Sequence, residues 1–334
     1  MGRRMHKNFD GGRLLDHYEA MVLIRAFEES GLEAQKQGLV LGAIHPSIGQ
    51  EAVPVGVCAH LRGEDVLLST HRGHGHTLAK GADPTAMMCE LFGRVGGTCG
   101  GKGGSMHIAD FAVGMLGANG VVAANIEIAT GAAHAIRLKG EDKVVACFFG
   151  DGAINRGPFL EGLNWASVHA LPILFVCEDN GFAATTRTAA LTAGDGPLAR
   201  ARSLGIEAHD ADGNDVVRID ELAGEMIPAI RDGGGPRFLL ARTYRLTGHT
   251  AADPGTYRPP EEVEARWRDD PIARARTALG EAGIAGSEIE ARERRARATI
   301  AGAFERARDA AWPEPALAFT DVQDLGAPEV RVRG

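Results

Sequence analysis

Asp151 and Asn180 carry the clearest chemical signal in the sequence. Asp151 stands in Gly150-Asp151-Gly152, directly after the apolar run 143–149, and Asn180 follows the apolar run 172–177. Both runs have the composition of buried strands, and a helical pattern over 159–169 separates them. In a parallel sheet the ends of adjacent strands face one crevice. A carboxylate and an amide oxygen placed there can converge on one hard cation, and magnesium takes oxygen ligands, phosphate oxygens among them. The glycines beside Asp151 let the backbone turn sharply and turn N–H groups toward an anion. Each half alone is an ordinary turn sequence; together, at matching strand ends, they read as a cofactor site.

Histidine is the second concentration of chemistry. His71, His74 and His76 lie in HRGHGH, with spacings that could supply nitrogen ligands. No cysteine or acidic cluster stands beside them to complete a zinc set. A structural role and a phosphate-side role next to Arg72 are the competing readings. His45 is either a satisfied loop histidine before a helix or a group of the site. His249 follows Arg245 in a long loop, and His107 reads as structural or as a wall of the approach. In that loop Asp253 and Arg258 are spaced for an ordering ion pair. Glycines crowd residues 93–120. Such a segment either packs backbone against a ligand or is a flexible loop.

The elements that must position these groups alternate along the chain. One long helix is expected over 14–38, a second from about Gly49, and a third from Asp83-Pro84 to Leu91, with an aspartate cap and proline in the first turn. A helix over 126–138 stops at Gly140. Strands are expected at 66–68, 143–149, 172–177, from about 205, and at 237–241, with a helix over 215–230. This α/β pattern predicts a mainly parallel sheet with helices on both faces. Residues 244–260 have no periodicity and read as a long ordered loop. The charged helical region after Glu261 reads as a solvated face or a subunit contact. Residues 14–334 are expected to form a single domain, with 1–13 as a flexible N-terminal segment.

Composition narrows the function classes. Among 334 residues the formal charge is −8, which gives no support to nucleic-acid binding. No run is long and apolar enough to span a membrane, and the basic N-terminus lacks a signal-peptide core. The five cysteines are scattered without CxxC, as expected of free thiols in a reducing cytoplasm. No GxGxxG follows an early strand, which disfavours a nicotinamide enzyme.

Five segments in order, HPSIGQEAVPVG, STHRGHGHTLAKG, GGKGGSMHIAD, GDGAINRGPFLEGLNWA and YRLTGHTAADPGTY, resemble the E1 alpha subunits of the acetoin and 2-oxoacid dehydrogenase complexes. The resemblance spans roughly residues 14–260 and implies the thiamine diphosphate-binding fold. It implies Asp151, the Asn180 side chain and the Phe182 carbonyl as Mg2+ ligands. Gly152 and Ala153 would offer backbone N–H groups to the diphosphate. His71, Arg72, Arg245 and His249 would surround it or the channel entrance. Gly120 and Val122 would meet the aminopyrimidine through their backbone. His45 would face the thiazolium carbon and the substrate, and His45 and His249 would orient substrate and handle protons near pH 7.

The same resemblance implies partners. The glutamate that activates the aminopyrimidine belongs to a beta-type E1 subunit, so an alpha2beta2 heterotetramer is expected. Acyl transfer implies a lipoyl-bearing acyltransferase. GGKGGSMHIAD and THRGHGH look closest to acetoin- and pyruvate-type subunits; another small 2-oxoacid, or a catalytically altered scaffold that still binds cofactor, is the alternative. Three positions depart from the family pattern. Asp179 replaces an asparagine, Glu127 stands where proline is usual, and Arg156 where glutamine or glutamate is frequent. Glu127 is open to three readings: buried and paired, altering substrate choice, or rimming the channel. Thr250 holds the position of a serine that is phosphorylated in regulated relatives.

Overall fold

Side-chain alternation along the apolar strands decides which helices cover which side of the sheet. The computed structural model describes residues 10–320. In chain order the elements are α1 (Gly11–Lys36), α2 (Ala52–Cys58), β1 (Val66–Thr70), α3 (His74–Ala79), α4 (Pro84–Leu91), β2 (Met115–Asn119), α5 (Ala124–Lys139) and β3 (Val145–Gly150). There follow α6 (Gly157–Val168), β4 (Ile173–Asp179), the short β5 (Phe182–Ala183) and β6 (Thr186–Arg187), α7 (Gly196–Ser203) and β7 (Glu207–Asp212). The chain continues through α8 (Val216–Ala229), β8 (Arg237–Arg242), α9 (Pro260–Trp267), α10 (Pro271–Glu281) and α11 (Gly286–Asp309).

Six strands form one sheet in the order β2-β1-β3-β4-β8-β7, every pair parallel. Val145, Cys147 and Phe149 of β3 pack with Ile126 and Ala129 of α5 and Phe159 and Leu163 of α6. Their alternates Ala146 and Phe148 pack on the other face with Val53 of α2 and Ile219 and Leu222 of α8. Burial on both faces explains why these strands read as unbroken apolar runs. Asp83 caps α4 by accepting from Ala86 N (2.8 Å), and Gly140 closes α5 in the left-handed conformation. No helix among the described residues is long and apolar enough to cross a membrane.

The first helix begins at Gly11, not Leu14, with Asp10 as its cap. Residues 11–13, expected in a flexible segment, therefore belong to α1; residues 1–9 lie outside the described residues. Arg13 ties this start to α8: its Nε donates to Asp220 Oδ2 (2.7 Å) and its Nη2 to Oδ1 (2.5 Å). His60 Nε2 lies 2.8 Å and His17 Nε2 3.2 Å from the same Oδ1. Burial opposes ionisation of Asp220, but bonds from the two histidines and Arg13 outweigh it and hold the carboxyl far below its usual range. A depressed carboxylate stabilises the fold above its unfolded pKa of about 4, and that stability drains away as pH falls below it. Asp220→Asn is expected to cost about 1–2 kcal/mol at pH 7, allowing for solvent screening. Urea melts should show the difference narrowing at pH 3; equal midpoints at pH 7 would refute the role.

The charged C-terminal helix is not simply a solvated face. α11 buries Ile289, Ala296, Ile300 and Ala303. Its arginines pair with α1: Arg292 with Asp16 (2.8 Å) and Glu19 (2.7 Å), Arg297 with Glu29 (3.0 Å). Long arginine stems cover the seam while their guanidinium heads stay near water.

Candidate active site

The strand ends of β1, β3 and β4 open onto a cavity of about 370 Å³. β3 and β4 run in register, Phe149 opposite Cys177 and Gly150 opposite Glu178, so the turns that follow them start side by side. Asp151 and Asn180 occupy those turns and both are buried. Asn180, Phe182, Gly152 and Ala153 border the cavity; Asp151 itself is not in the lining, but its neighbours Gly150 and Gly152 on either side are. Thr188 donates its hydroxyl to Asp151 Oδ2 (2.6 Å), while Oδ1 is buried without a partner. Burial, with Asp179 adding to it, pushes the Asp151 carboxyl up to about 7 despite the Thr188 bond. A buried carboxylate oxygen without a donor is what a cation ligand looks like before the cation arrives. Asn180 is oriented by donating Nδ2–H to Gln50 Oε1 (3.2 Å) and accepting from Phe182 N (3.1 Å) at Oδ1.

Another part of the cavity wall is cationic. Arg72 and Arg245 are each at most 5% exposed, yet neither meets a carboxylate within ion-pair distance among the described residues. Arg72 donates to the carbonyls of Pro46 and His249 (the latter 3.2 Å), and Arg245 to the carbonyl of Ala184 (2.9 Å) and the hydroxyl of Tyr257 (2.8 Å). Arg245 Nε has no partner. Burial and the neighbouring Arg245 push Arg72 down to about 9. Two buried guanidiniums held only by neutral acceptors are costly unless an anion joins them.

His45, His71 and His249 converge between these walls, with ring centroids 4.5, 4.9 and 5.7 Å apart. Burial first, then the nearby guanidiniums, drives them down to about 3, 2 and 4 respectively. In place of titrating near pH 7, His45 and His249 are neutral here. Their nitrogens approach within 4.8 Å of one another, close enough to suggest a metal trio. The bonding of His249 argues otherwise. Its Nδ1 faces Arg72 Nη2 (3.4 Å) and Arg245 Nη1 (3.3 Å). Guanidinium groups only donate, so Nδ1 accepts and the proton sits on Nε2. That nitrogen is a hydrogen-bond donor, not a lone pair for a metal.

Gly120 and Val122 form the third wall with Asn119 and Met106. Two alanines in the same lining, Ala123 (φ 75) and Ala184 (φ 52), sit in the left-handed region, which non-glycine residues enter only under local constraint.

The structure decides several readings that the sequence leaves open and overturns the Asp253–Arg258 pair. His74 and His76 do not border the cavity; His74 bonds Glu28, and His76 Nδ1 bonds the Ser69 hydroxyl (2.8 Å). Asp253 and Arg258 do not pair. Asp253 accepts from His249 N (2.6 Å) and Tyr257 Oη (2.9 Å), while Arg258 donates to the carbonyls of Arg245 (2.5 Å) and Thr247 (2.6 Å). Glu127 is exposed on α5 and not in the cavity lining, and a hydrogen bond with Glu161 raises its pKa. Arg156 is exposed at the head of α6. Asp179 does face a backbone N–H, that of Gly181 (3.2 Å), and also pairs with Arg242 (3.3 Å). Gln50 and Thr188, which orient Asn180 and Asp151, were not singled out from sequence; Gln50 sits inside HPSIGQEAVPVG, whereas nothing local marks Thr188.

The sequence profile described as dehydrogenase E1 component matches residues 18–316. The chain is 43% identical over 315 residues to the alpha subunit of acetoin:2,6-dichlorophenolindophenol oxidoreductase from Cupriavidus necator, covering 94% of this chain and 95% of that protein. The Bacillus subtilis subunit of the same name is 42% identical, with coverage of 91% and 92%. The pyruvate dehydrogenase E1 component subunit alpha of Rhizobium meliloti is 36% identical, with coverage of 95% and 94%. Profile, relatives and cavity agree, and the chain belongs to the dehydrogenase E1 component family.

Proposed function

We propose that this chain is the alpha subunit of a thiamine diphosphate-dependent dehydrogenase that cleaves acetoin or oxidatively decarboxylates pyruvate and passes the acyl unit to a lipoyl group. One observation carries the reading: two buried guanidiniums without carboxylates line a cavity that Gly150 and Gly152 also line, and between those glycines Asp151 keeps a buried carboxylate oxygen without a donor. A magnesium diphosphate satisfies both at once. Asp151, the Asn180 amide and the Phe182 carbonyl would hold Mg2+. Arg72, Arg245 and His71, with the N–H groups of Gly152 and Ala153, would hold the diphosphate, and the backbone of Gly120 and Val122 would meet the aminopyrimidine. When bound there, thiamine diphosphate supplies an electron sink for breaking a C–C bond beside a carbonyl.

The chain's own residues then orient the substrate. His249 offers Nε2–H to a substrate oxygen, its tautomer fixed by the two arginines. His45, with its buried Nδ1 unpartnered, faces the same space. His249→Ala is expected to lower kcat/KM by about 10²-fold while cofactor affinity changes much less. A thiamine diphosphate titration that weakens in step with turnover would instead place His249 on the cofactor.

The chain works with a beta-type subunit, proposed as alpha2beta2 with the cofactor between subunits, and with a lipoyl-bearing acyltransferase. Five free thiols fit a cytoplasmic setting. The acetoin-named relatives share 43% and 42% identity against 36% for the pyruvate-named one, which favours acetoin. The test is dye reduction by the chain co-expressed with its beta-type subunit, with thiamine diphosphate and magnesium present. Acetoin, pyruvate and branched 2-oxoacids are supplied separately. Turnover with acetoin is expected; a stable, cofactor-loaded complex inert toward all of them would overturn the reading in favour of a catalytically altered scaffold.

A further inference from the structure

Behind the cavity runs a buried polar chain that the proposed chemistry does not use. Glu28 of α1 is completely buried, and its Oε1 accepts from the backbone N (2.9 Å) and the hydroxyl (2.7 Å) of Ser47. Its Oε2 accepts from His74 Nδ1 (2.9 Å), and His74 Nε2 meets Ser105 Oγ at 3.0 Å. Burial opposes the Glu28 charge, but His74 and Ser47 outweigh it and hold the carboxyl below its usual range. The connectivity matches a Ser-His-acid triad. Ser105, however, is buried, and the cavity wall runs through its neighbour Met106 instead, so the hydroxyl has no substrate to attack.

What the chain joins is informative. Ser47 lies two residues from His45, and the intervening Pro46 carbonyl accepts from Arg72. His74 lies two residues after Arg72. Ser105 ends the glycine-rich turn whose earlier N–H groups, those of Cys99, Gly101, Gly103 and Gly104, are gathered by the Glu90 carboxylate at 2.7–3.1 Å. Beyond Gly104 the next hold on that segment is Ser105. Because a buried carboxylate is tolerated only with its donors in place, loss of one partner unsettles the others.

Resting on the reading of the cavity as the active site, we propose that Glu28 and His74 are positioning residues. The Ser47–Glu28–His74–Ser105 chain ties the His45 loop and the glycine-rich segment to each other through Glu28 and His74, which keeps His45 and Met106 in place around the substrate. The test uses the complex with the beta-type subunit, loaded with thiamine diphosphate and magnesium. Ser105→Ala is expected to raise hydrogen–deuterium exchange about fivefold at residues 42–50, at the far end of the chain, as well as at 97–107. It should lower kcat about tenfold with cofactor affinity held within about threefold, and Ser105→Thr, which restores the hydroxyl, should recover most of the loss. Should Ser105→Ala misfold, Ser47→Ala probes the same coupling from the other end, read at 97–107. Exchange confined to the mutated segment, or parallel loss of turnover and cofactor affinity, overturns the proposal. A wild-type complex without turnover would instead sink the proposed function, since the exchange coupling is read independently.

Discussion

Asp151→Ala is expected to abolish turnover, by at least about 10³-fold, which corresponds to about 4 kcal/mol or more of lost transition-state stabilisation. The residue combines burial, a fixed orientation from Thr188 and one unpartnered oxygen, between two glycines that line the cavity. No nearby side chain can take over, since Asp179 is already engaged by Gly181 N–H and Arg242. The metal-free chain should behave in the opposite sense toward Asp151→Asn. With its folded pKa raised to about 7 against about 4 unfolded, Asp151 destabilises the fold progressively as pH rises from about 4 to 7, by up to about 4 kcal/mol. Asp151→Asn removes the charge, so the variant should melt above wild type at pH 8 and level with it near pH 4. Magnesium must displace the proton below pH 7, so wild-type affinity for it should fall about tenfold per pH unit there. Thermal melts at pH 4, 6 and 8, with and without magnesium and thiamine diphosphate, check all three. A variant that keeps turnover, or that gains as much stability from magnesium and thiamine diphosphate at pH 8 as wild type does, would remove Asp151 from the metal role.

The parts of the molecule legible from sequence are those whose signal is local. Apolar runs buried on both faces announce β3, β4 and β8, and the turns after β3 and β4 announce Asp151 and Asn180 because register places their ends together. Strand β2 escaped because Met115–Asn119 has only two fully committed positions, Met115 and Ala118, amid glycine. It owes its place to β1, with Leu67 opposite Met115. Helix α3 is hidden in a histidine tract that looks like a ligand set; its residues turn inward because Glu28 and Ser69 supply partners from distant elements. The Thr188 bond to Asp151 depends on the two-residue hairpin of β5 and β6, too short to show a period. The histidines were found by type, but their neutrality follows first from burial and then from guanidiniums brought close, both of which only folding supplies.

The glycine that holds the two sides of the site together is Gly49, and Gly49→Ala is expected to cost about 3–5 kcal/mol. Its φ of +96° lies in the left-handed region, and an added Cβ would stand 2.5 Å from the Tyr244 carbonyl oxygen and 2.6 Å from Leu246 Cγ. Neither neighbour is a flexible tip. Tyr244 is buried on Phe182, and Leu246 N donates to the Ile48 carbonyl (3.0 Å). The strain cannot be relieved without separating residues 44–50 from the loop that begins at Thr243, whose hydroxyl donates to the Gly49 carbonyl (3.1 Å). Those two segments carry His45 and His249, whose rings lie 4.9 Å apart. Turnover should therefore fall further than stability alone explains: Asp151, held by Thr188, keeps its geometry, while Asn180 loses the orienting bond to Gln50 as residues 44–50 move. Gly42→Ala is the control. Its φ is +91° but nothing lies within 4 Å of an added Cβ, so only backbone strain of about 1–2 kcal/mol is incurred. If the two variants melt and turn over alike, conformation alone explains Gly49; if Gly49→Ala loses turnover far in excess of Gly42→Ala, the contact with Tyr244 and Leu246 is what sets the distance between the two histidines.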